Sequence, residues 1–272
     1  MTFLKDGVTP SLSVLLCVNR TSQYLEDAVR SVLSQDDPDF EFLIAANACS
    51  DALIKELEAL AGDDARVQIF RTAIGQLSFN LNYLADRAAG DYLVRMDADD
   101  VSEPSRIRVL RTALKEWQPD VLGSWVRFID ESGEHVGDYK LPTEPLDIVR
   151  MLPKRTVFCH PAVAIRKEFL FSMGGYLGGF VSEDTDLWIR SVRKGALFRN
   201  IPEYLLRYRI HKGQSTATRR GYAEVAGHWL REFLSDPAWY SAKGLVVSLA
   251  KCVFSIPLSN LRRARITLGN RQ

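Results

Sequence analysis

Four short apolar runs, LSVLLCV, FEFLIAA, RVQIF and DYLVRM, fall within the first hundred residues, and a stretch of helical periodicity separates each from the next. Leu25, Ala28, Val29, Val32 and Leu33 mark the first apolar helical face, Leu53, Leu57 and Leu60 the second, Leu77, Leu81 and Leu84 the third. Three- and four-residue spacing buries one side of a helix, whereas short continuous apolar runs suit strands covered on both faces. The alternation predicts an α/β fold with a mostly parallel, Rossmann-like central sheet flanked by helices.

Ligands bind such sheets beyond the carboxyl ends of the strands, and DYLVRM delivers Asp97, Asp99 and Asp100 to one of those ends. Carboxylates so close together repel one another and raise their own pKa values unless a cation neutralises them. Hard oxygen ligands suit Mg²⁺ or Mn²⁺, which complete their shells with phosphate oxygens and water. The other reading is a solvated acidic loop that caps the next helix. Pro104 suits that helix's first turn, and Ile107, Leu110, Leu114 and Trp117 give it an apolar face.

Beyond about residue 120 the pattern loosens. VLGSWVRFID and ESGE read as a strand and a turn, the start of an appended mixed region and not of another strand–helix repeat. FVSEDTDLWIR places Glu183, Asp184 and Asp186 at a helix start, with Trp188 and Val192 on its buried face. Acids there can do chemistry or simply cap the helix. His135 and His228 belong to no motif.

Global charge is uninformative: a formal net charge of +1 gives no reason to expect a nucleic-acid partner. Cys17, Cys49, Cys159 and Cys252 are scattered without a CxxC pair, which fits a reduced cytoplasmic setting. MTFLKDGVTPSLS lacks the apolar core of a secretory signal, and no run approaches the ~20 apolar residues of a membrane span. Local charge is telling only near the end, where Pro237 to Gln272 contains six Lys/Arg and no Asp/Glu. Leu245, Val246, Leu249 and Val253 add an apolar stripe to this basic amphipathic element. It either lies on an anionic membrane surface or packs on protein.

MDADD after a fourth strand resembles the DxD motif of family-2 glycosyltransferases with a GT-A fold. SVLLCVNRTSQYLEDAVRSVLSQ, GSWVRFID, FCHPAVAIRKE, GGY, SEDTDLWIR and LLRYRIHKG match the same family in order, across residues 11 to 215. The resemblance implies a catalytic domain over residues 1–218, with a nucleotide-sugar and metal half at 11–118 and an acceptor half at 119–218. Residues 219–272 form a helical extension. Asp97 is expected at the nucleotide ribose or a metal-bound water, Asp99 on a Mn²⁺ or Mg²⁺ ion, and Asp100 in support. Asp184 is the expected base of an inverting displacement, and His211 a third metal ligand or a phosphate contact. Glu183, His160 and Trp188 fall on the acceptor side, and Cys17, Asn19, Asn47 and Arg95 around the nucleotide.

One segment departs from the family pattern. Ala46 and Asn47 occupy the places of an aspartate pair that receives the nucleobase, and Asn19 stands where an aromatic residue is common. An amide oxygen still accepts from a ring N–H, without the charge. The implied donor is a UDP-sugar, with GDP the competitor. The implied acceptor is a saccharide or lipid-linked saccharide of bacterial surface polysaccharide assembly, met in the cytoplasm or on the inner face of the plasma membrane. Rival readings are a metal-dependent nucleotidyltransferase, which would ordinarily show a glycine-rich phosphate loop absent from LLCVNRTSQ, and a non-catalytic sugar-nucleotide-binding scaffold.

Overall fold

The computed structural model of the chain describes residues 9–179, 181–214 and 219–254. In order, the first half comprises β1 (Leu12–Val18), α1 (Leu25–Leu33), β2 (Glu41–Asn47), α2 (Asp51–Ala61), β3 (Val67–Thr72), α3 (Leu77–Arg87), β4 (Tyr92–Met96), β5 (Val101–Ser102) and α4 (Arg106–Trp117). The second half follows with β6 (Val121–Ile129), β7 (His135–Tyr139), α5 (Pro145–Met151), β8 (Ala164–Arg166), α6 (Lys167–Ser172), α7 (Glu183–Arg193), β9 (Phe198–Arg209), α8 (Arg219–Ser235) and α9 (Trp239–Val253).

The four apolar runs become β1 to β4, paired in parallel in the order β3-β2-β1-β4. Alternation along these strands sends Val14, Leu16, Phe42 and Ile44 to one face, where α1, α2 and α4 cover them. Leu15, Leu43, Ala45 and Leu93 go to the other, under α3 and α7. Both faces are therefore dry, as a parallel sheet requires.

The region after residue 120 is not an appendage. β8 pairs antiparallel with both β4 and β6, and β6 runs parallel to β9, so one nine-stranded sheet spans both halves of the chain. Pro104 also differs from expectation. It lies in the turn before α4, where Arg106 N–H donates to the Glu103 carbonyl at 3.0 Å. Gln35 at the end of α1 supplies the cap: its Oε1 accepts from Ile107 N–H at 3.0 Å, and its Nε2 donates to the Glu103 carbonyl at 2.8 Å.

Where the basic element is described, it packs on protein. α9 packs on α8 through small residues, Ser241, Gly244 and Ser248, and Gly244 lies against the Trp229 indole. Leu245 turns into the core, whereas Val246, Leu249 and Val253 face outward. Residues 255–272, with four of the six basic side chains, lie outside the described residues. Among the described residues no helix is long and apolar enough to cross a membrane.

Replacing a helical glycine by alanine ordinarily stabilises by about 0.5–1 kcal/mol. At Gly244 the sign reverses, because the new Cβ would overlap the buried Trp229 ring. Gly244→Ala is expected to lower the urea unfolding free energy by about 1–3 kcal/mol relative to the wild type. An unchanged or raised midpoint would contradict the α8–α9 packing.

Candidate active site

β4 ends at Met96 and β5 begins at Val101, so the three aspartates sit in the short turn between two strands of the same sheet. Pairing of β5 with β9, Val101 opposite Arg207 and Ser102 opposite Leu206, brings Arg209 under that turn. The Arg209 backbone N–H donates to Asp100 Oδ1 at 2.9 Å, and its Nε donates to the Asp99 carbonyl at 2.9 Å. The same guanidinium reaches Asp27 at 3.2 Å and lies over the Tyr24 ring, 4.5 Å from its centroid. Backbone and side chain of one residue thus fix the whole acidic turn.

The turn is only partly neutralised. Asp97 pairs with the buried Arg95, and Asp99 Oδ2 lies 2.8 Å from His211 Nε2. Asp100 is 0 % exposed, and its Oδ2 has no hydrogen-bond partner. Burial, then the charges of Asp97 and Asp99, push the Asp100 carboxyl well above the ordinary range; burial also raises Asp97 against the pull of Arg95. One oxygen from each of the three lies within 4.8 Å of the others. An all-oxygen set with an orphaned buried acceptor fits a hard divalent cation.

His211, expected from the resemblance as a third metal ligand or a phosphate contact, lies with Nε2 2.8 Å from Asp99 Oδ2. Its Nδ1 accepts from Gly213 N–H at 3.2 Å, which leaves the ring proton on Nε2, facing Asp99. In this arrangement the imidazole partners a ligand. To become one, it would have to move that proton.

The second acidic motif opens α7 and faces the same space. Asp184 Oδ1 accepts from Thr185 N–H at 2.6 Å and from its hydroxyl at 3.2 Å. Burial raises Asp184, and burial followed by the Asp184 charge lifts Glu183 to about 7. Asp97 and Arg95 also act on Glu183, so the two motifs share one electrostatic neighbourhood. His160 Nδ1 lies 3.9 Å from Glu183, and its Nε2 is 2.9 Å from the Tyr176 hydroxyl. Burial holds the His160 pKa well below its usual value, so the ring is neutral. Gly174 and Gly175, at φ 78° and 74°, make the left-handed turn that presents Tyr176.

The remaining predicted residues divide. Asn47, at the end of β2, donates from Nδ2 to the Val18 and Ala45 carbonyls at 3.1 and 3.3 Å, leaving its oxygen for a ligand. Asn19 is exposed just past β1. Cys17 is half-buried, and burial pushes its thiol to about 12, so it stays protonated. Two expectations need correcting. Arg95 spends its guanidinium on Asp97 and the Met96 carbonyl and is a buried counter-charge, not an open ligand contact. Trp188 is buried against Phe158, 5.0 Å between ring centroids, and supports the acceptor side from the core without reaching its surface.

Sequence reasoning missed Arg209, Tyr176 and a clamp on α7 from α8. Ser182 Oγ donates to Glu224 at 2.7 Å and lies 3.0 Å from His228 Nε2, so α8 holds the residue just ahead of Glu183. One turn on, the buried Asp186 receives Arg190 and Arg231, each at 2.7 Å. Alternation along β9 could have put Arg209 on the side of His211. Nothing local marks the α8 contacts.

The chain is related in sequence and in fold to known proteins. A family model described as "Glycosyl transferase family 2" matches residues 13–172. The O-antigen biosynthesis glycosyltransferase WbnJ of Escherichia coli is 37% identical over 227 residues, covering 82% of this chain and 89% of its own. A UDP-Gal:alpha-D-GlcNAc-diphosphoundecaprenol beta-1,3-galactosyltransferase, also from Escherichia coli, is 31% identical over 147 residues, 54% of this chain and 53% of its own. Among solved structures, S. aureus TarS 1–349 in complex with UDP-GlcNAc superposes with a TM-score of 0.69 at 16% identity, over 92% of this chain and 74% of that one. The mannosyltransferase PcManGT of Pyrobaculum calidifontis, in complex with GDP-Man and Mn²⁺, gives 0.66 at 16% identity, over 97% of this chain and 76% of that one. At such identities the structural likeness concerns the fold, which is GT-A.

Glu183 yields a test of the site's electrostatics. Its folded pKa of about 7 exceeds the ordinary 4.5, so between these values the folded chain keeps a proton that the unfolded chain has lost. Stability contributed by this group is present below 4.5 and lost as pH rises through about 7. In chelator, Glu183→Gln is expected to gain on the order of 2 kcal/mol relative to the wild type when urea denaturation is moved from about pH 4.5 to about pH 8. A difference independent of pH would mean that Glu183 is not held protonated.

Proposed function

The chain belongs to glycosyl transferase family 2, and from that premise we propose that it is an inverting transferase. It moves a sugar from a nucleoside-diphosphate donor, UDP-linked by preference, to a hydroxyl of a saccharide carried on a lipid. The observation that carries the reading is the meeting of the Asp97–Asp100 turn with the Glu183–Asp184 helix start in one electrostatic neighbourhood. The relatives' names support the pathway: O-antigen biosynthesis for one, and a diphosphoundecaprenol-linked acceptor for the other. A cytoplasmic protein working at the inner face of a membrane would meet such an acceptor, in the assembly of bacterial surface polysaccharide.

Each residue has a role. Asp184, oriented by the Thr185 N–H and hydroxyl, accepts the proton of the attacking hydroxyl. Glu183, lifted to about 7, and neutral His160 beside it line the acceptor side of that base. A single base with no carboxylate assigned as a covalent nucleophile supports direct displacement with inversion at the anomeric carbon. Asp99 and Asp97, with Asp100 behind them, would hold Mn²⁺ or Mg²⁺, which neutralises the charge of the leaving diphosphate. Arg209 holds the Asp100 carboxylate and the Asp99 backbone carbonyl in place.

Two experiments test the assignment. Asp184→Asn is expected to lower turnover by about 10²–10⁴-fold in a radiolabelled sugar-transfer assay while leaving UDP affinity unchanged, because the diphosphate contacts lie on other residues. Wild-type turnover in that variant would remove Asp184 from the role. Calorimetry should show UDP binding strengthened by Mn²⁺ in the wild type, and no such strengthening in Asp99→Ala. In the same instrument Asn47→Asp is expected to favour UDP over the other diphosphates, since a charge-assisted bond to a ring N–H is about twice as strong as a neutral one. Wild-type preference for GDP would defeat the choice of uracil.

A further inference from the structure

α9 is built the wrong way round for a helix whose task is only to pack. Its fully buried residues are Ser241, Gly244 and Ser248, and Tyr240 and Leu245 turn inward beside them, while its other large apolar side chains point away from the protein. Trp239 is 83 % exposed, Val246 66 %, Leu249 49 %, Val253 65 % and Phe254 77 %. Trp239, Val246 and Val253 recur every seventh residue, so with Leu249 they form one continuous stripe along the helix. On the neighbouring α8, Leu230 and Leu234 are exposed as well. A contiguous patch of this kind marks an interaction site, whereas single exposed apolar residues do not.

The helix is nonetheless firmly seated. Tyr240 donates to the Val149 carbonyl at 3.0 Å near one end, and Lys251 Nζ donates to the Lys154 carbonyl at 2.6 Å near the other. Its 15 residues span about 22 Å, shorter than the roughly 30 Å of a bilayer's hydrocarbon. A helix of this length and asymmetry lies along an interface and does not cross it. Charge selects the kind of interface. From Pro237 to Gln272 the sequence has Lys243, Lys251, Arg262, Arg263, Arg265 and Arg271 and no acid, and four of these follow the stripe directly. Such a run favours a surface rich in anionic headgroups and gives a protein partner's apolar groove no added attraction.

We propose that the exposed face of α9 docks the protein on an anionic lipid bilayer. This rests on the reading that the acceptor is carried on a lipid, which docking would bring to Asp184 without a search through bulk water. The small-residue face packs α9 on α8, and the large-residue face enters the headgroup region.

The test is co-sedimentation of the full chain with phosphatidylcholine vesicles, with and without phosphatidylglycerol. Wild type is expected to sediment with the anionic vesicles and much less with the neutral ones. The combined substitution Val246→Ser, Leu249→Ser and Val253→Ser is expected to weaken this binding by about tenfold or more. These side chains are exposed, so its thermal midpoint and UDP affinity should match the wild type. Trp239→Phe should remove a vesicle-induced blue shift of tryptophan emission. Three results would overturn the proposal: wild type remaining in the supernatant, the serine variant sedimenting as wild type does, or a wild-type dimer in the ultracentrifuge that the variant converts to monomer. Sedimentation needs neither donor nor turnover. A chain that docks but transfers no sugar would count against the glycosyltransferase reading alone, and one that serves a water-soluble acceptor but never docks would count against this inference alone.

Discussion

The hold of Arg209 on the acidic turn is the constraint from which the rest of the site follows. Three carboxylates in four residues would spread if the turn were free, because each raises the cost of ionising its neighbours. Two strands stop them. β4 delivers the turn, and β5 returns it to β9, where the Arg209 backbone N–H and guanidinium engage Asp100 and Asp99. Buried Arg95 answers Asp97 from below. The result is a concentrated negative site whose shape is set by the sheet and not by the ligand it receives, which is the preorganisation that transition-state stabilisation needs.

Asp184 is held by a different means. Asp184 stands at the first turn of α7, a position that helix geometry exposes and the macrodipole favours for an anion. Its burial acts the other way and raises its pKa. The contacts of α8 with Ser182 and Asp186 keep α7 from shifting to relieve that tension. The C-terminal helices therefore contribute to the chemistry by holding an element they do not belong to.

Period and motif in the sequence were sufficient for β1 to β4, for the helices on both faces, and for the acidic turn and the start of α7, because each is encoded by neighbours in the chain. Long-range pairings were not legible. The three residues of β8 carry no signal that would place them between β4 and β6. Arg209 reads as one basic residue among several until β9 is paired with β5. Trp188 belongs to the apolar face of an otherwise well-read helix, and only the packing of Phe158 shows that the face is sealed. In α9 the large residues drew attention, but the small ones make the contact. Apolar periodicity alone does not say which face of a helix meets the protein.

The long pairings of the sheet also bear on when the protein becomes competent during its synthesis. The hydrogen bond that fixes Asp100 comes from a residue 109 positions later, and the β8 partner of β4 arrives some seventy residues after it. A nascent chain can form β1 to β4 early, from local contacts, yet it must wait on the ribosome for β9 before the acidic turn has its shape. Until then the carboxylates remain solvated and mobile, and β4 keeps an open edge. The interval is one in which the chain depends on hydration, and on whatever protects exposed strands in the cell, to stay unpaired with other chains.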